Sequence, residues 1–127
     1  MDRFFDKAVE NFVKSIGGEF GKCGNVDKEG FVSKIEVNGD INKPVYLFIP
    51  KETLDTVSML LFGEKEYDLP DLTNEIANLI VGNAKVIASD ENIDFDISTP
   101  QFLDIKDVKY DVRKDYSIDG ECFSILH

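Results

Sequence analysis

The sequence predicts an α+β domain with helices packed on one face of a mostly antiparallel sheet. Three observations predict it. The chain opens on a helical pattern, a hairpin pattern leads into two further helices, and short strand-like segments fill the end. That order, α, β-hairpin, α, α, then several strands, is the arrangement of an α+β fold. No linker or low-complexity segment interrupts the 127 residues, so one domain over residues 1–127 is expected.

Residues 2–16 place Phe4, Phe5, Ala8, Val9, Phe12, Val13 and Ile16 at spacings of three and four, the signature of an amphipathic helix. Gly17 and Gly18 stop it. The stretch "GEFGKCGNVDKEG" carries little hydrophobic signal. "FVSKIEVNGDINKPVYLFIP" reads as a hairpin, with Asn38 and Gly39 as its turn. Its second arm, "VYLFI", is a continuous apolar run and suits a central strand. Pro50 opens a helix over about residues 51–62, with Leu54, Val57, Leu60 and Leu61 on one face, and Gly63 ends it. Asp68 is placed to cap the next helix, with Pro70 and Asp71 in its first turn. Beyond Asp90, "NIDFDIS", "QFLDI", "VKYDV" and "CFSILH" read as four short strands.

Hydrophobic residues make up 43% of the chain and charged residues 31%, with a formal net charge of -11. Nucleic-acid affinity rests on Lys and Arg neutralising phosphates, so that charge argues against a nucleic-acid binder and against anionic membranes. Cys23 and Cys122 lie far apart in sequence and offer no disulfide framework. The only histidine, His127, sits at the end of the chain, where disorder is common. Neither a Ser-His or Cys-His nucleophile nor a His-ligated metal is expected. "MDRFFDKAVENF" has neither the basic start nor the apolar run of a signal peptide, and no stretch has the length of a membrane span. A cytoplasmic protein is expected.

The helix over residues 69–89 has three sides when wound at about 100° per residue. Leu72, Ile76, Leu79, Ile80, Val86 and Ile87 gather on one, with Asn83 among them as a structural amide for a buried backbone group. Ala77, Val81, Ala84 and Ala88 form a small-residue side that a neighbouring helix could approach. Asp71, Glu75, Asn78, Gly82 and Lys85 form a narrow polar strip that faces water or a partner. Asn is a mediocre helix former and Gly costs about 1 kcal/mol against Ala. A helix that carries Asn74, Asn78, Gly82 and Asn83 within ten residues gains close approach or function in return.

"NEIANLIVGNAK", followed by "FDISTP", resembles the CheX branch of the CheC/CheX/FliY phosphatases of bacterial chemotaxis. The family motif is a helical Glu-x-x-Asn, a nearby Gly-Asn-Ala and a downstream proline. Here these are Glu75 and Asn78, then Gly82, Asn83 and Ala84, then Pro100. "MDRFFDKAVENFVKSIGG" and "YLFIPKETLDTVSMLLFG" extend the likeness over roughly residues 1–104. CheC-type members carry a second Glu-x-x-Asn on the first helix; Val13 stands where its Asn would be, three residues after Glu10, which favours the single-site CheX form.

The resemblance implies a CheC/CheX-like fold and a phosphatase acting on the aspartyl phosphate of a CheY-like receiver domain. It implies that Asn78 orients the attacking water and that Glu75 pairs with the receiver's lysine. Asp71, Gly82 and Lys85 become partner-facing positions, and Asn83, Ala84 and Pro100 structural members of the motif. It also implies a homodimer, and no metal or cofactor of the chain's own, the receiver supplying Mg²⁺. A neutral carboxamide can hold water without repelling a phosphoryl group, and phosphoryl transfer needs positioning more than covalent help. A different class of reading is a catalytically inactive CheX-like module that binds a receiver or another signalling protein.

Overall fold

Alternation along two central strands decides where the helices sit. The computed structural model describes residues 2–24, 29–104 and 108–127. These form α1 (Asp2–Ser15), β1 (Phe20–Lys22), β2 (Gly30–Gly39), β3 (Lys43–Pro50), α2 (Lys51–Phe62), α3 (Leu69–Asp90), β4 (Phe95–Ile97), β5 (Gln101–Leu103), β6 (Arg113–Ile118) and β7 (Glu121–Leu126). The sheet runs β1-β6-β7-β3-β2-β4, with β5 also on β2, and all the pairings are antiparallel. Ile35 and Val37 of β2 and Val45, Leu47 and Ile49 of β3 share one core with all three helices. The intervening Val32 and Tyr46 join Leu126 in a separate cluster, covered by Phe48, Leu103 and Val108. Successive strand residues point to opposite faces, so one face carries the helices and the other a smaller apolar patch.

The helices form largely where periodicity puts them. α1 ends with Gly18 N–H bonded to Val13 O and Gly17 N–H to Lys14 O, the paired bonds of a Schellman cap. Gly63 closes α2 at φ 73°, in the left-handed region, with its N–H on Met59 O. Asp68 caps α3 by accepting from Asp71 N–H at 3.0 Å. α1 packs along α3, whose Ala77, Val81, Ala84 and Ala88 are all buried. Among the described residues, no helix is long and apolar enough to cross a membrane.

Several expectations are corrected. The hairpin does not turn at Asn38 and Gly39: Val37 pairs with Lys43, and both residues continue β2 to pair with β4. Asn42 closes the loop instead, bonding both the N–H and the C=O of Gly39. Gly39 is needed for close approach, since a Cβ there would lie 2.7 Å from the Asp94 carbonyl oxygen and from Phe95 Cα. "VKYDV" is not a strand, although Val112 extends the ladder by exchanging bonds with His127. Val108 instead covers the second cluster, and the strand is Arg113–Ile118, whose buried Tyr116 and Ile118 meet the helices. β1 has a single apolar residue, Phe20, and so left no hydrophobic signal.

Cys23 and Cys122 form a disulfide, with Cα atoms 5.9 Å apart across 99 residues of sequence. Separation along the chain was misleading because β6 pairs with β1 on one side and β7 on the other, which brings residues from the two ends of the chain within one strand of each other. The bond ties the three-residue edge strand to the sheet. Reducing it should lower unfolding stability by roughly 2–4 kcal/mol, the usual range for such a staple. Denaturant titration with and without a dithiol reductant measures this, and Cys122→Ser should abolish the difference.

His127 is buried too, only 6% exposed, with its ring tilted against Phe5 at 5.3 Å between centroids. Its Nε2–H donates to Asp2 at 2.7 Å, while Nδ1 accepts from the Lys43 ammonium at 2.8 Å. Burial, helped by the Lys43 charge, holds the imidazole below its ordinary 6.5 against the pull of Asp2. A neutral ring is preferred in the fold, so the unfolded chain takes up the proton first. This contribution to stability is complete above pH 6.5 and is lost as the pH falls below it. His127→Gln should flatten that part of a stability–pH profile measured by denaturant midpoint.

Candidate functional site

A bulge in the sheet edge and the N-terminal half of α3 together build a groove. β4 and β5 run along the same edge of β2, with Ile97 opposite Val37 and Gln101 opposite Lys34. Between those pairs, three edge residues (Ser98, Thr99 and Pro100) face two of β2 (Ile35 and Glu36), which is a one-residue bulge. Ser98 holds it in place: its N–H donates to Glu36 O at 2.9 Å and its Oγ accepts from Glu36 N–H at 2.8 Å. Pro100 suits the spot because it has no N–H to offer the ladder. It is thus part of a bulge rather than of a strand.

The groove has a volume of about 950 Å³. The bulge forms one wall, and Asn74, Glu75 and Asn78 of α3 another. The far wall is the end of α2 and the connection to α3, including Phe62, Glu64, Glu66 and Tyr67. Its walls are braced from behind. The buried Ser33 hydroxyl donates to Asn74 Oδ1 at 2.7 Å, and the buried Ser58 hydroxyl donates to the Glu64 carbonyl. Tyr67 donates to Asp55 at 2.7 Å, and Lys51 donates to the same carboxylate at 2.6 Å. Lys51 first, then the Tyr67 hydroxyl, hold Asp55 below the usual carboxylate range; burial and that carboxylate push the Tyr67 phenol up.

Glu75 and Asn78, three residues apart, are neighbours on the helix surface. Both are exposed, and neither has a side-chain hydrogen bond or ion pair among the described residues. Asp71 also lines the groove, one turn nearer the helix N-terminus. Gly82 continues the strip outside the groove, and a Cβ there would meet nothing within 4 Å. Lys85 points to the sheet edge, 3.5 Å from the exposed Asp96. Asn83 does not bond a backbone group: its Oδ1 accepts from the Asn11 side chain at 3.0 Å, tying α3 to α1. Ala84 is buried.

Leu79 and Val86, expected on the apolar side, are 42% and 58% exposed. Leu79 is four residues from Glu75 and Val86 four from Gly82, so they flank the polar strip instead of the core. Sequence reasoning also missed the far wall of the groove and the Ser33 brace. The acidity of "EKEYD" was the only signal, because nothing local shows that this connection faces α3. No cluster of three or more metal-ligating side chains occurs among the described residues.

The family described as chemotaxis phosphatase CheX matches residues 31–119, most of the chain. This chain belongs to the CheX family. Solved CheX structures share the fold. The chemotaxis protein CheX of Vibrio vulnificus superposes with a TM-score of 0.78 at 18% identity, covering 96% of this chain and 93% of that one. CheX of Desulfovibrio desulfuricans gives 0.77 at 19% identity, with 97% and 94% covered. The complex of CheX with CheY, BeF3 and Mg from Borrelia burgdorferi gives 0.71 at 20% identity, with 97% and 93% covered. At these identities the superpositions speak to the fold. No curated protein matches the chain significantly.

Gly82 separates stability from function. With open space around it and α-helical geometry, Gly82→Ala should stabilise this CheX protein by about 0.5–1 kcal/mol. If the strip meets a partner there, the same change should weaken that contact. Thermal denaturation and receiver binding, measured on one variant, check the two directions.

Proposed function

We propose that this protein hydrolyses the aspartyl phosphate of a CheY-like receiver domain. The observation that carries the reading is the Glu75–Asn78 pair, exposed, without a side-chain partner among the described residues, and set at the lip of a braced groove. Membership of the CheX family supports it, as does the occurrence of a Borrelia burgdorferi CheX in complex with CheY. Asn78 reaches the receiver's active site and holds a water in line with phosphorus through its carboxamide, which both donates and accepts. The water oxygen bonds to phosphorus as the bond to the aspartyl oxygen breaks, giving the free carboxylate and inorganic phosphate. Glu75, on the same face, pairs with the receiver's lysine and sets the register. The Mg²⁺ that neutralises phosphoryl charge is the receiver's own.

Removing one positioned group of this kind usually costs about 10²–10³ in rate. Asn78→Ala should therefore slow phosphate release from a phosphorylated receiver by about that factor while leaving binding in place. Glu75→Gln should act mainly by raising KM. Release by Asn78→Ala as fast as by the wild type would show that the assignment is wrong. Tight receiver binding by the wild type with no acceleration would favour the inactive binding module.

A further inference from the structure

We infer that the groove is a second docking element for the receiver, taking a cation-bearing loop with Phe62 as its apolar anchor. The inference rests on the reading above for the identity of the partner. Its own evidence is centred on Phe62 and on the carboxylates of the connection to α3.

Phe62, the last residue of α2, is 58% exposed although it lines the groove. Aromatic side chains so placed are the ones that dominate interfaces when a partner covers them. Its position is held on both sides, by the Gly63 N–H bond to Met59 O and by the Ser58 bond to the Glu64 carbonyl. An anchor held in place loses little freedom when it is covered.

The charges of the groove are all of one sign. On α1 and α2, by contrast, several carboxylates are paired with lysines: Glu10 with Lys7 and Lys14, Asp6 with Lys22, and Asp55 with Lys51. In the groove Glu64, Glu66, Asp71 and Glu75 line the walls without an ion pair, and the lining includes no lysine or arginine among the described residues. Asp68, a fifth carboxylate, is engaged by the Asp71 N–H. Like charges gathered around one concave surface repel each other and select against anionic occupants. A loop bearing lysine or arginine relieves that repulsion, and an apolar side chain beside it covers Phe62. Glu75 belongs to both elements, so the groove continues the surface on which the receiver's phosphorylated site would sit.

The test uses the full chain and a receiver locked by beryllofluoride, which binds without turnover. Phe62→Ala should weaken binding about tenfold, and in phosphate release the loss should fall in KM. The double variant Glu64→Gln, Glu66→Gln should slow association and reduce its dependence on salt. Far-ultraviolet circular dichroism confirms folding, which neither exposed site should disturb. Wild-type binding by both variants at low ionic strength would overturn the inference while leaving the phosphatase reading intact. Weakened binding by the variants, with no turnover by the wild type, would support the groove and remove the phosphatase. Failure of the wild type to bind the locked receiver would remove both.

Discussion

Burial of two sides of α3 is the constraint on which the rest of the molecule depends. Leu72, Ile76 and Ile80 lie in the core, while Ala77, Val81, Ala84 and Ala88 are buried along the side where α1 packs. Each isoleucine removed from water contributes about 1.5–3 kcal/mol, so the helix cannot rotate without a large loss. The alanines let α1 come close, and the Asn11–Asn83 bond fixes the two helices in register. What is left on the third side must face outward, and that side carries Glu75 and Asn78. Their exposure is a consequence of the packing behind them.

The sheet edge answers α3 across the groove. A regular edge strand would have continued from β4 into β5 with no wall between them. The extra residue at 98–100 breaks that regularity, and Ser98 replaces the lost ladder bonds with its own hydroxyl and backbone. Bulges bend a strand and re-aim what it carries. Here the bend places Pro100 opposite the helix pair, so motif members 22 residues apart line one groove.

The same molecule spreads its negative charge unevenly in kind. On α1 and α2, Glu10, Asp6 and Asp55 sit in ion pairs with lysines. Around the groove, Glu64, Glu66, Asp71 and Glu75 have no ion pair among the described residues. A net charge of -11 by itself describes solubility. Its gathering around a braced concavity is the observation behind the proposed cationic partner loop.

The sequence by itself determined the elements whose causes are local: the 3.6-residue periodicity of three helices, the caps at Asp68, Gly17 and Gly63, and the apolar run of central β3. It also determined which residues form the polar strip, because helical geometry alone separates Glu75 and Asn78 from Ile76 and Ile80. The resemblance added the family. Only the tertiary structure decided what depends on distant chain segments. The Cys23–Cys122 bond, the burial of His127 between Asp2 and Lys43, and the partner of Asn83 all join residues that strand order or helix packing brings together. Asn38 and Gly39 made a turn signal that β4 overrode by pairing with them. Leu79 and Val86 read as core because hydrophobicity marks what a residue tolerates, whereas exposure depends on whether a neighbour arrives to cover it.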